Sequence, residues 1–126
     1  MTTGNRFLLT DYIRRYNEKN VDGMLELFTE DVVFESVSSA TGFITTKGKE
    51  QLRQLAEKSA DIFSERRQTL TTMVFDESNI AVEVEYWAKL AMDLPDGKKA
   101  GEEVEFRGAS FFVVRDGKIS RLTDYM

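Results

Sequence analysis

The sequence contains no cysteine and no histidine, and these two absences exclude much of the chemistry that proteins use. Without cysteine, the chain has no disulfide and no thiolate nucleophile. Without histidine it has no Ser-His-Asp triad, and with neither residue it has no structural zinc site. Any general acid or base must then be Asp, Glu, Lys or Tyr. Each of these needs burial or a charged neighbour to bring its pKa near neutrality.

Long apolar runs, repeats and linkers are also missing. The first residues, MTTGNR, form no apolar signal segment, and no run approaches the roughly 18 to 20 apolar residues of a membrane span. The single proline, Pro95, lies in the segment LPDGKKAG, whose composition is typical of an exposed connection. We therefore expect one continuous domain, residues 1–126, in a soluble cytoplasmic protein.

Positive charge is in deficit, since 17 Lys and Arg residues face 22 Asp and Glu residues and the net charge is -5. The basic residues are scattered among acids and form no stripe, which predicts no binding to nucleic acid or to membranes. Glu83 and Glu85 alternate with apolar residues, so they are expected on the outer face of a strand and not in a metal site. We expect no metal and no cofactor.

Apolar residues recur at helical spacing in three N-terminal segments. The first spans 6–17, the second follows Asn20, which is a good N-cap, and the third follows Gly48 and continues to Phe63. Beyond it, Glu65, Arg66 and Arg67 are expected to form a solvated helix exit.

The spacing then changes to a period of two. Segments 68–75, 79–92, 102–115 and 118–126 predict four long strands, with turns at 76–79, around 95–97 and at 116–117, after an earlier short strand at 32–36. Helices followed by consecutive antiparallel strands indicate an α+β fold.

Alternation in the last strand places Leu122, Asp124 and Met126 on one face, so that an acid lies between two large apolar side chains. Solvent-facing Arg121 and Thr123 on the other face agree with this assignment. Ile119 and Tyr125 share that other face and argue against it. From the periodicity alone, the alternative that Asp124 is an ordinary exposed strand residue stays open.

Three segments, YNEKNVDGMLELFTEDVVFES, GKEQLRQL and DGKISRLTDYM, resemble the nuclear-transport-factor-2-like superfamily, and most closely its SnoaL-like branch. The resemblance covers nearly the whole chain. It implies a cystatin-like cone, in which three N-terminal helices pack on a strongly curved, mainly antiparallel sheet that encloses an apolar pocket. The same fold hosts isomerases, cyclases, hydrolases, dehydratases and binding domains, so it does not by itself name an activity.

The resemblance also assigns roles to individual residues. Asp124 matches the acid on the last strand of SnoaL-like cyclases and limonene-type epoxide hydrolases, and Tyr12 matches the oxyanion tyrosine of ketosteroid isomerase. Ser36 and Ser110 stand where ketosteroid isomerase has its carboxylates, so a steroid-type proton shuttle is not expected. At the positions where the epoxide hydrolases have an inward Arg and Asp, this chain has Val84 and Tyr86, so that mechanism is incomplete here.

The expected pocket has few polar groups and no Lys or Arg, so burial should raise the pKa of Asp124. In this hypothesis Asp124 is the general acid or base and Tyr12 donates a hydrogen bond to an oxyanion. The hydroxyls of Ser36 and Ser110 orient the ligand. The other residues expected to line the pocket are Tyr16, Phe34, Leu55, Val84, Tyr86, Phe106, Phe112, Leu122 and Met126.

Two classes of function fit these residues. The first is a cofactor-independent enzyme of cyclase, isomerase, dehydratase or hydrolase type, which acts on a hydrophobic, oxygen-bearing small molecule. The alternative is a non-catalytic ligand-binding or association module, in which the two tyrosines are core residues and Asp124 accepts a hydrogen bond from one of them. In either case Trp87, Phe111 and Val113 should leave an apolar patch on the convex face of the sheet, which predicts a homodimer.

Overall fold

The structure is a computed structural model that describes residues 2–38 and 42–125. In these residues the helices are α1 (Thr2–Asn17), α2 (Val21–Leu25) and α3 (Lys49–Ile62), and the strands are β1 (Phe28–Ser38), β2 (Gly42–Lys47), β3 (Phe63–Phe75), β4 (Asn79–Leu90), β5 (Glu103–Arg115) and β6 (Lys118–Tyr125).

The strands form one mixed sheet in the order β2-β1-β6-β5-β4-β3. Strands β1 and β6 run parallel, and the other neighbouring strands run antiparallel. Three helices packed on this sheet confirm the predicted α+β fold with mainly antiparallel pairing. Strong curvature of the sheet around a ligand pocket stays a prediction.

The first two helices begin and end for local reasons that the sequence indicates. Helix α1 starts earlier than predicted and buries Leu9 and Tyr12 against the sheet. Helix α2 is capped by Asn20, whose side chain accepts a hydrogen bond of 3.0 Å from the main-chain N–H of Gly23. The predicted N-cap is therefore confirmed, and it satisfies one of the free donors at the helix start.

Helix α3 ends one residue before the sequence pattern suggests. It begins after Gly48, whose φ of 86° favours glycine, and Phe63 already has extended backbone with φ -113° and ψ 134°. Phe63 pairs with Leu90 as the first residue of β3, and its ring lies 6.1 Å from that of Tyr86. The prediction that Phe63 belongs to the apolar face of the helix is wrong, because strand pairing begins there.

The core lies between the helices and the inner face of the sheet, which we define as the face toward α1. Even-numbered residues of β4, from Ile80 to Leu90, point to this face and are all buried. Full burial of a large apolar side chain stabilises a fold by about 1.5 to 3 kcal/mol. The largest fully buried side chains are Phe28, Phe112, Leu9, Ile80, Leu90, Ile119, Leu122 and Val32.

Strand β6 contains an irregularity that explains its conflicting sequence pattern. The pairing with β5 shifts between Val113, opposite Arg121, and Val114, opposite Ile119. A bulge of this kind changes which face successive side chains occupy, so Ile119 is fully buried while Arg121 is exposed. Thr123 is only 3% exposed, so its predicted solvent exposure is wrong. It lies in an interior strand, between β1 and β5.

Strand β2 was not predicted from the sequence. It pairs with β1 from Gly42 opposite Ser38 to Lys47 opposite Val33, and it forms one edge of the sheet. None of the helices in the described residues is both long enough and apolar enough to cross a membrane.

Candidate functional site

Asp124 lies near the end of β6, an interior strand, with a serine opposite it on each neighbouring strand. Its Cα partners are Ser36 on β1 and Ser110 on β5. The hydroxyl of Ser110, itself buried, donates a hydrogen bond of 2.7 Å to Oδ1 of Asp124. Three polar residues thus form a row across three strands on the inner face of the sheet.

Burial makes Asp124 a weaker acid than an ordinary aspartate. Loss of hydration raises the pKa of its carboxyl group from 3.8 to about 6, because the charged form is destabilised in apolar surroundings. The hydrogen bond from Ser110 opposes this shift, since it stabilises the carboxylate. At neutral pH the group can therefore exchange a proton with a bound molecule more readily than an ordinary aspartate.

One face of Asp124 borders a cavity of about 190 Å³ beneath the helices. Residues of α1, α2, α3, β1, β2, β3 and β6 line it. Of the residues predicted to line the pocket, the structure brings seven together here: Tyr12, Tyr16, Phe34, Ser36, Leu55, Leu122 and Asp124.

A second, smaller recess of about 30 Å³ lies on the other side of Asp124. Tyr16 and Asp124 border both spaces. The recess accounts for four further residues of the predicted lining: Val84, Tyr86, Phe106 and Ser110. The predicted lining is thus divided between two neighbouring spaces that share the carboxylate.

Two predicted lining residues are not found in either space. Phe112 is 1% exposed and packs in the core, where its ring meets that of Tyr12 edge-on at 5.5 Å. The structure therefore places Phe112 in the core, in contact with the ring of Tyr12, and not along either space. Met126 lies outside the described residues.

The tyrosine hydroxyls differ in their partners. Tyr16 and Tyr86 share a hydrogen bond of 2.9 Å. Tyr12 is buried along the cavity, and its hydroxyl has no hydrogen-bond partner among the residues that the structure describes. Burial, and next the nearby Asp124, raise the pKa of Tyr12 well above its ordinary value. Tyr12 is therefore a protonated donor in the lining of the cavity.

Sequence reasoning missed a cation at this site. Arg66 is 5% exposed and lines the same cavity as Asp124, so its expected place in a solvated helix exit is wrong. The expectation of a pocket without Lys or Arg is wrong for the same reason. Because β3 starts at Phe63, Arg66 falls on the inner face together with Gln68 and Leu70. The segment ERRQTL is polar except for Leu70, so it carries no apolar alternation that would have indicated this.

The remaining cavity residues were not singled out as ligand-binding either. Most are apolar side chains on predicted helices, where core and cavity positions share one periodicity. Ile44 lies on the unpredicted strand β2 and is 44% exposed, so it lies at the rim. These residues are Met24, Phe28, Ile44, Leu52, Ala56 and Ser59.

Metal ligands do not converge here. In the described ranges, 2–38 and 42–125, no group of three or more His, Cys, Asp or Glu side chains is placed to hold a metal ion. The polar groups of the cavity are instead one carboxyl, two phenols, two serine hydroxyls and one guanidinium, contributed by Asp124, Tyr12, Tyr16, Ser36, Ser59 and Arg66.

Comparison with known proteins gives a family match for this chain. The profile of the SnoaL-like domain matches residues 9–122. No protein with a curated description gives a significant match.

Solved structures share the fold over nearly the whole chain. A candidate polyketide cyclase from Xanthomonas campestris pv. campestris superposes with a TM-score of 0.81 at 22% identity, over 98% of this chain and 90% of its own. A candidate polyketide cyclase from Pseudomonas putida KT2440 gives 0.76 at 25% identity, over 94% and 88%. A LEH-like epoxide hydrolase from M. tuberculosis gives 0.77 at 16% identity, over 98% and 82%.

Proposed function

We infer that this chain, which belongs to the SnoaL-like domain family, is a cofactor-independent enzyme that uses Asp124 as general acid or base. Its substrate is a hydrophobic small molecule that carries a reactive oxygen function. The proposal covers reactions that begin with proton transfer next to a carbonyl or at an oxygen, as in cyclisation, isomerisation and dehydration.

The observation that carries this proposal is the carboxyl group of Asp124 beside a cavity, with a pKa of about 6. Proton transfer is most efficient when the pKa of the catalytic group lies near the working pH. Between pH 5 and 7 both forms of Asp124 are populated, so the group can act in either direction. An acid that only filled the core would not need to border two open spaces.

Tyr12 supplies the complementary group. When a base removes a proton next to a carbonyl, negative charge develops on the carbonyl oxygen, and a donor placed there lowers the barrier. The hydroxyl of Tyr12 has no hydrogen-bond partner in the described part of the chain, and Tyr12 lines the same cavity as Asp124. Ser36, opposite Asp124 on β1, is placed to orient an oxygen of the substrate.

Deuterium exchange tests the proposal without knowledge of the natural substrate. In D₂O at pH 7, the wild type should accelerate exchange of the α-hydrogens of enolisable cyclic ketones such as 2-tetralone. Asp124→Asn should lose roughly 10²-fold of this rate, because the amide keeps the shape but cannot take the proton. Glu83→Gln, at an exposed carboxylate on β4, is the matched control and should exchange at the wild-type rate.

A wild type that accelerates none of a panel of such ketones, or an Asp124→Asn variant as fast as the wild type, would contradict the catalytic proposal. The non-catalytic ligand-binding module would then be the better account of the cavity.

We also propose that the chain forms a homodimer, as the sequence predicts, but through an apolar patch that differs from the predicted one. On the outer face of the sheet, opposite the inner face, Val74, Phe111 and Tyr125 are 64%, 41% and 49% exposed. With Ala81 and Ala109 they border a shallow, mainly apolar depression. Exposed apolar patches of this kind commonly form contacts between protein chains.

Trp87 and Val113 do not belong to this depression. Trp87 donates a hydrogen bond of 2.6 Å from Nε1 to Glu103, and the guanidinium of Arg67 lies 5.4 Å from the centre of its ring. Val113 is partly buried. Phe111 is therefore the centre of the proposed dimer contact. A single domain over residues 1–126 and a cytoplasmic location stay predictions from the sequence.

A further inference from the structure

Arg66 is a buried cation without an anionic partner among the described residues. Its side chain enters the cavity from β3, and the residue is 5% exposed. No carboxylate in the described residues comes within 4.0 Å of its guanidinium nitrogens. Taking a charge out of water costs several kcal/mol unless a partner compensates it. The described residues therefore supply no partner of opposite charge.

The neutral contacts of Arg66 hold the side chain in place but leave most of its donors free. Nε donates to the main-chain oxygen of Tyr16 at 3.2 Å, and Nη1 lies 3.5 Å from the hydroxyl of Ser59. The guanidinium carbon lies 3.8 Å from the centre of the Tyr16 ring. Since a guanidinium has five N–H donors, three remain without a partner in the described residues.

Asp124 does not neutralise Arg66, although both line the cavity. The carboxyl group of Asp124 accepts its hydrogen bond from Ser110. A close guanidinium would lower the pKa of Asp124, whereas burial raises it. The cavity therefore has a fixed positive group contributed by β3 and a separate proton-exchanging group contributed by β6.

We propose that the ligand of this cavity is an organic anion, whose carboxylate pairs with the free guanidinium donors of Arg66 while its reacting part lies against Asp124. This inference rests on the proposed function for the role of Asp124, and it adds the substrate class. A carboxylate fits the fork of a guanidinium through two parallel hydrogen bonds. Apolar residues such as Phe34 and Leu55 line the same cavity as Arg66 and Asp124, so the rest of the anion is mainly apolar.

Binding of a matched acid and amide tests the proposal. Calorimetric titration with 2-naphthoate and 2-naphthamide at pH 7.5 compares two probes that differ in charge and have nearly the same shape. The wild type should bind the acid at least tenfold more tightly than the amide. Arg66→Met, which keeps length and apolar packing, should lose this preference, and Arg66→Lys should retain part of it.

Arg67→Met is the control for the general loss of a positive charge. Arg67 is the next residue along β3, lies exposed on the outer face, and should leave the preference unchanged. Thermal unfolding of each variant verifies the fold. Benzoate at tens of millimolar should also raise the melting temperature of the wild type more than that of Arg66→Met, which provides a second readout with a smaller anion.

Equal affinity for acid and amide, a preference that survives Arg66→Met, or no binding together with no benzoate stabilisation would each overturn the proposal. These outcomes differ from failure of the proposed function. The anion preference can persist when Asp124→Asn has no effect on proton exchange, in which case the cavity binds anions without catalysis.

Discussion

The hydroxyl of Ser110 donates a hydrogen bond of 2.7 Å to Asp124, and this bond limits the rise in the pKa of the carboxyl group. Two opposing influences therefore set the acidity of the site. Burial destabilises the carboxylate of Asp124, and the hydroxyl of Ser110 on β5 stabilises it through one hydrogen bond.

Removing that donor should raise the pKa of Asp124 further. In Ser110→Ala we expect the carboxyl group to titrate above its wild-type value of about 6, because only burial then acts on it. Carbon-13 NMR of the aspartate carboxyl groups measures this directly. Ser36→Ala is the matched control, since Ser36 is also opposite Asp124 but makes no hydrogen bond to it in the described structure. An unchanged titration in Ser110→Ala would contradict the assigned cause.

Asp124→Asn should be more stable than the wild type above pH 6. The native pKa of about 6 lies above the ordinary value of 3.8, so the native state holds the proton more tightly than the unfolded state. The contribution of Asp124 to stability is thus largest below pH 4 and falls as the pH rises through 6. Asn removes this loss and should stabilise the protein by about 1 to 3 kcal/mol at pH 8.

Urea unfolding at pH 8 and at pH 4 measures this difference, which should nearly vanish at the lower pH. Asp61→Asn, at an exposed position of α3, should show no comparable dependence on pH. A destabilised Asp124→Asn variant at pH 8 would show that the carboxylate is not costly in the native state.

Replacing two cavity tyrosines should separate stability from activity. Tyr12→Phe removes a hydroxyl without a partner in the described residues, and we expect a change in unfolding free energy within about 0.5 kcal/mol. Tyr16→Phe breaks the hydrogen bond to Tyr86 and should cost about 1 kcal/mol. Proton exchange in 2-tetralone should be slowed more by Tyr12→Phe than by Tyr16→Phe. The reverse order of rates would exclude Tyr12 as the oxyanion donor.

A charge at the centre of the outer apolar depression should separate the proposed dimer. Phe111→Glu is expected to sediment as a monomer at micromolar concentration, since a carboxylate buried at such a contact would lose its hydration. Trp87→Glu, on the same face but among charged residues, should leave the dimer largely intact. A monomeric wild type, or a dimer insensitive to Phe111→Glu, would remove the proposed contact.

The sequence predicts most of this fold because its long elements have clear periods. The N-cap at Asn20 and the helix start after Gly48 were identified from residue type alone. Strand β2 was not predicted, because the segment GFITTK is short and mainly exposed. An edge strand also pairs with only one neighbour, so its side chains follow a weaker pattern.

Positions at the ends of elements and next to irregularities were less predictable. Arg66 was missed because a helix and a strand meet at Phe63 without a turn, so no local signal marks the change of period. The placement of Ile119 and Arg121 depends on a bulge, which is a property of the pairing with β5 and not of β6 alone. The position of Arg66 in the same cavity as Asp124 was therefore found only in the three-dimensional structure.

The position of β6 between β1 and β5 has a consequence for how the site comes into being. The strand that carries Asp124 is the last of the described elements to be synthesised, yet it joins the edge pair β1 and β2 to the meander of β3, β4 and β5. Until residues 118–125 have emerged, these two parts of the sheet have no strand to connect them. The carboxylate of Asp124 therefore enters its apolar surroundings in the same step that joins the two parts of the sheet. In nascent chains that stop short of β6, the edges of β1 and β5 that β6 would pair with are unpaired, and such edges promote aggregation.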